Sequence, residues 1–208
     1  MRIIDVHIHV GHLYEWTESA RTAWMDTGPY ASRIFDSAGN RLSQQYVDVI
    51  KAEDVFVGSL LPEYPPDTHG VLSFEGAAEV NAYHPEFIPI ASLNPNYHRD
   101  PTAMQPELAA TGQREFSHSA VLLEAFEKQL QMGARGLKLH PIHGHFFAND
   151  QALYPVYEKC EREGLPVMFH TGNSLLRGSK MRYSDPDTFD DVIIDFPDMP
   201  VILCHGGR

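Results

Sequence analysis

Cysteine is almost missing from this chain. Cys160 and Cys204 are the only two, far apart and without C-x-x-C spacing, so no disulfide framework is implied. Positive charge is also scarce. Sixteen Lys and Arg face 28 Asp and Glu, a formal net charge of −12. That balance disfavours a nucleic-acid partner, which needs a basic face. It does not exclude a charged substrate, because a metal and local arginines can reverse the field inside a pocket. No apolar run is long enough to cross a membrane. No basic stretch followed by an apolar one opens the chain, since the first strand begins almost at Met1. A cytoplasmic protein with no membrane partner is the expectation. No G-x-G-x-x-G turn follows the first strand, which argues against a dinucleotide-binding sheet.

What the chain does have is histidine, twelve in 208 residues. Two lie in Arg2-Ile3-Ile4-Asp5-Val6-His7-Ile8-His9-Val10, an apolar stretch with the pattern of a buried β-strand. Side chains alternate along a strand, so His7 and His9 share a face and can reach one metal ion. Ile4, Val6 and Ile8 should face the other way, against a helix.

The rest alternates strand and helix. Helices are expected at 41–54, at 73–84 with Ser73 as N-cap, around Val121 to Leu130 closed by Gly133, and at 150–163 closed by Gly164. A further helix opens on Asp185-Pro186, with Phe189, Val192, Ile193 and Phe196 as its buried face. Strands are expected at 55–61, 87–93, 135–140, 166–170 and 200–205, with Pro89 awkward inside the third. Two long connections, about 11–40 and 94–117, interrupt the pattern. The first carries enough aromatic residues to act as a lid or pocket wall.

Short apolar strands alternating with helices define an α/β protein with a buried parallel sheet. The hydrophobic content of 43% suffices for one core, so residues 1–208 form a single domain. The expected architecture is a (β/α)8 TIM-type barrel, of which about six βα units are present, truncated at the C-terminal side. A full barrel runs to roughly 250 residues, so the chain is expected to be part of a longer one.

Barrel chemistry sits at the C-terminal ends of the strands. Those ends carry His7 and His9, Lys138 and His140, His170, and His205. Histidine at four of six strand ends points to a metal site rather than to packing.

These motifs resemble the amidohydrolase superfamily, in the branch of metal-dependent TIM barrels that includes aminocarboxymuconate-semialdehyde decarboxylase. Ile4-Asp5-Val6-His7-Ile8-His9, Gly136-Leu-Lys-Leu-His-Pro141 and the stretches 166–172 and 200–207 carry the resemblance. It implies His7, His9 and His170 as metal ligands, with His205 ligating or orienting the attacked group. The family's strand-eight aspartate, a ligand and proton shuttle, has no counterpart here. The implied cofactor is a divalent metal, Zn first, with Mn, Fe or Co also suited to imidazole ligands. The implied reaction is hydrolysis of a small ester, amide or lactone by a metal-activated water, with His205, Lys138 and His140 as catalytic candidates. Alternatives are a non-oxidative decarboxylase of an aromatic or unsaturated acid, and a barrel domain without chemistry. The partner is then a small-molecule substrate, a carboxylate among the options, and a homo-oligomer is left open.

Lys138 suits a buried ammonium or a carboxylate grip, with a carboxylated lysine bridging two metals, as in some relatives, the alternative, and Arg208 suits a carboxylate contact or a surface ion pair. His140, His143 and His145 are expected to form a polar rim, with a second metal site as the alternative. His69, His84, His98 and His118 receive no role.

Overall fold

The computed structural model describes residues 2–25, 31–98 and 113–207. Seven strands carry the fold: β1 (Ile3–His9), β2 (Val55–Leu61), β3 (Phe87–Pro89), β4 (Ala91–Leu93), β5 (Leu137–Leu139), β6 (Val167–His170) and β7 (Val201–Cys204). Every strand pairing is parallel and joins strands consecutive in the chain, in two ladders, β1-β2-β3 and β4-β5-β6-β7. This is the winding of a TIM barrel, left open between β1 and β7 among the described residues.

The helices are α1 (Glu18–Met25), α2 (Ala31–Ile34), α3 (Ser43–Ala52), α4 (Phe74–Tyr83), α5 (Gln113–Gln131), α6 (Pro141–Gly144), α7 (Tyr154–Glu163) and α8 (Pro186–Asp195). The expected stop signals operate. Gly164 caps α7 in the left-handed conformation, and Asp185 accepts a hydrogen bond from the Asp187 amide at the start of α8. Ser73 holds the N-cap position of α4, but its side chain makes no capping bond.

Strand alternation sorts the side chains of β5, β6 and β7 to two sides of the sheet. Val167 and Phe169 join Leu137, Leu139, Leu122, Phe126, Tyr157, Val192 and Phe196 between sheet and helices. Met168 faces inward with Leu61, Ile90 and Cys204. Lys138 is the charged exception among the fully buried large side chains.

The structure corrects three sequence expectations. The expected third strand is divided at Ile90. Its N–H bonds Leu60 of β2, while the next amide, Ala91, bonds Gly136 beside β5. Pro89, with no N–H, marks the point where the chain passes from one partner to the other. Ile4 and Val6 are 62% and 50% exposed rather than helix-covered, because β1 is an edge strand. Ile193 is also exposed, on the solvent side of α8.

The connection 11–40 forms a short 3-10 turn (Leu13–Glu15), α1 and α2. Most of the connection 94–117 lies outside the described residues, as do Gly28, Pro29, Tyr30 and Arg208.

Candidate functional site

His7 and His9 turn to the same side of β1, with ring centroids 4.9 Å apart. The Tyr46 hydroxyl donates to the His9 carbonyl, and the His7 amide donates to Asp5 Oδ1, so both backbones are fixed. From there the imidazoles form a closed circuit. His7 lies 5.0 Å from His205, His205 4.4 Å from His170, and His170 4.6 Å from His143. His143 lies 4.5 Å from His69, and His69 5.7 Å from His9. These six rings line a cavity of about 700 Å³. Ala23 of α1 and residues 173–176 after β6 complete its wall, so the first connection does serve as a pocket wall.

His140, at the end of β5, stands outside the circuit. It lies 6.0–6.5 Å from His9, His69, His143 and His170. It is buried, with Nε2 3.6 Å from Glu63 Oε2. Lys138 is buried beside it and donates to Cys204 Sγ at 3.0 Å. Neither Lys138 nor His140 lines the cavity.

Glu63 is the residue that the sequence pattern did not single out. It follows β2 directly after Pro62 and is fully buried. One carboxylate oxygen meets His9 Nδ1, and the other meets His69 Nδ1 at 2.7 Å. His69 and His143 also depart from expectation, since both are buried in the circuit. Loops fold them in: the Thr68 hydroxyl donates to the His143 carbonyl, and the His143 ring meets Ser179 Oγ at 2.9 Å. His145 keeps its rim position, bonding the Gly178 carbonyl and stacking on Tyr183. His98 and His118 hold the backbone of residues 94 and 95, away from the site.

Burial sets the protonation of the rings. It pushes His7 and His170 down to about 2 and His143 to about 3. Their mutual repulsion and the Lys138 charge add to the effect. His140 is held well below its ordinary value and His205 is lowered, both first by burial. Lys138 is lowered by burial too, with Cys204 opposing. Burial would raise Glu63, but His140, His69 and His9 outweigh it and hold the carboxyl well below its ordinary range. The site thus sets an ionised carboxylate beside imidazoles, of which His7, His140, His143 and His170 are driven to the neutral form by burial.

Neutral imidazole nitrogens are the donors that Zn²⁺ and its neighbours prefer, and the Nε2 atoms of His140 and His143 are buried with no hydrogen-bond partner among the described residues. The donor set therefore fits a divalent ion. Among the described residues no group of three or more His, Cys, Asp or Glu side chains is arranged to hold one as it stands. Coordination requires some rings to turn.

An inward circuit at the C-terminal ends of parallel strands is the site of a TIM-barrel protein. Residues 108–208 match the amidohydrolase family. The whole chain superposes on an uncharacterized TIM-barrel protein from Bordetella bronchiseptica at TM-score 0.70 and 21% identity, covering 68% of that chain. A 4-oxalomesaconate hydratase from Rhodopseudomonas palustris is similar at 0.53 and 19%, over 99% of this chain and 63% of that one. A 5-carboxyvanillate decarboxylase from Sphingomonas paucimobilis is similar at 0.52 and 15%, over 97% and 67%. The chain thus spans about two thirds of the length of each. No curated protein matches it in sequence. The barrel neighbours share the TIM-barrel fold, and the second half of the chain is similar to the amidohydrolase family. Among the described residues no helix is long and apolar enough to cross a membrane.

Proposed function

We propose that this chain carries the site of a metal-dependent hydrolase acting on a small ester, amide or lactone. The observation that carries the reading is the closed circuit of six imidazoles around one cavity at the strand ends. His7, His9 and His170 are the proposed ligands, on β1 and β6. Zn²⁺ is the first candidate, with Mn, Fe and Co compatible with the same donors. A bound divalent ion supplies Lewis acidity and lowers the pKa of a water toward neutrality.

The chain's own groups do the rest. His205 stands between His7 and His170, where its ring can orient a carbonyl entering the cavity. Its backbone has φ +61°, an uncommon conformation outside glycine, which aims the ring from the turn after β7. Lys138 and His140 act from behind the wall. The ammonium biases the field at His7, His170 and His205, and His140 sits on the Glu63 carboxylate. Leu175 and Leu176 give the mouth an apolar side that suits a small organic substrate.

A non-oxidative decarboxylase is the second reading, and the name of one structural neighbour, the 5-carboxyvanillate decarboxylase, suggests it. The cavity does not favour it, since no Lys or Arg is among the described lining residues to grip a carboxylate. The test loads the purified chain with Zn²⁺ and follows small lactones, esters and amides alongside aromatic acids. Metal-dependent ring or ester opening, lost in His205→Ala, is the expected result. Carbon dioxide release without hydrolysis would replace the reading with its rival.

A further inference from the structure

We infer that Glu63 is the positioning residue of this site, a single carboxylate that sets the tautomer and orientation of His9 and His69. The inference takes its functional consequence from the metal reading above, while its geometry stands without it.

Glu63 is held rigidly. Its amide donates to the Leu72 carbonyl at 2.9 Å, and the Leu72 amide donates back at 2.8 Å. This bridge closes the loop after β2 and leaves the side chain one direction, inward. There it is fully buried. An ionised carboxylate attracts an N–H and repels a nitrogen lone pair, so a ring nitrogen in ion-pair contact with it is the one favoured to carry the proton. Those nitrogens are His9 Nδ1 and His69 Nδ1. The carboxylate thereby favours hydrogen on Nδ1 of both rings, which leaves Nε2 as the nitrogen turned away from it. His140 Nε2, at 3.6 Å, feels the charge without a direct bond.

The consequence is specific to His9. It lines the cavity and is a proposed ligand, so Glu63 would fix which nitrogen it offers to a cation. Carboxylates behind metal-binding histidines act in this way, and their loss weakens metal affinity by 10–100-fold. A carboxylate that merely filled a core would have no bearing on which nitrogen bears the proton.

Nitrogen-15 NMR of the imidazoles in the metal-free protein tests the geometry, and zinc competition with a chromophoric chelator tests the consequence. The wild type should show His9 and His69 as single Nδ1–H tautomers. In Glu63→Gln, whose amide offers one accepting oxygen in place of two, at least one ring should become a tautomer mixture. Zinc affinity should fall 10–100-fold, with partial recovery in Glu63→Asp. A wild-type His9 protonated on Nε2 overturns the inference and needs no variant to fold. Unchanged tautomers and unchanged zinc affinity in a folded Glu63→Gln overturn it as well. If His9 is locked in the wild type and released in the variant while neither binds zinc, Glu63 is the positioning residue and the metal reading fails.

Discussion

A buried neutral imidazole offers a lone pair without a charge that repels a cation, which is why the protonation of these rings matters more than their number. His205 is the most informative single position. Its φ of +61° suits Asn and strains a β-branched residue. His205→Asn should therefore fold with stability within about 1 kcal/mol of the wild type, and His205→Val should lose about 1–2 kcal/mol more. Urea denaturation of the pair checks this, and equal stabilities would refute the strain. Lys138 tests the other side of burial. Its ammonium has one thiol as hydrogen-bond partner, so Lys138→Met should be at least as stable as the wild type. At this scale the sequence was informative where residues lay on strands. Period-two alternation after an apolar run was enough to find His7, His9, His170 and His205. Glu63 and His69 were illegible because they sit in loops, where spacing says nothing about direction, and His143 because the four-residue helix α6 is too short to show a period. Glu63 alone left a clue, as an acidic residue one position past the proline that ends β2.

The loop from Pro62 to Leu72 is the element that turns a row of strand-end histidines into a closed circuit. Thr17 binds it at both the His69 carbonyl and the Thr68 carbonyl, and the Glu15 carbonyl accepts from Val71. Gly70 makes that docking possible. It has φ +127°, and a Cβ there would lie 2.0 Å from the Glu15 carbonyl oxygen. Gly70→Ala should cost more than about 2 kcal/mol and displace His69, which denaturation and the His69 imidazole signals would report. A Gly70→Ala protein of native stability would mean that this loop is docked differently. Helix α5 sets the opposite case, a purely apolar contact. Phe126 is fully buried, and Phe126→Ala should cost about 3–5 kcal/mol without touching the histidine circuit. Caps and apolar periodicity foretold α3, α4, α7 and α8 to within a few residues, while α5 starts at Gln113, inside the expected connection 94–117. They could not foretell the division at Ile90, which depends on which neighbour each amide meets. Nor could they foretell the exposure of Ile4 and Val6, because a strand's own sequence does not say whether it lies at an edge.

For the molecule as a whole, the buried rings tie stability to pH. His143 and His170 are held near 3 and 2 in the fold against an ordinary 6.5. The unfolded chain therefore takes up their protons first as pH falls. Stability from these groups is complete above about pH 6.5 and declines below it, by up to about 1.4 kcal/mol per pH unit for each ring. Glu63, held well below its ordinary 4.5, works in the same direction but only under that value. Metal-free protein should lose stability to urea between pH 7 and pH 5, before carboxylates titrate. A flat profile down to pH 4.5 would mean that the rings are not buried neutral.

The central claim is that the strand-end circuit holds one divalent ion through His7, His9 and His170. Elemental mass spectrometry of the purified chain, beside His7→Ala and Lys138→Met, tests it most directly. About one equivalent of metal per chain in the wild type and in Lys138→Met, lost in His7→Ala, is the predicted result. Metal retained in full by a folded His7→Ala, or none in a wild type loaded with zinc, would contradict it.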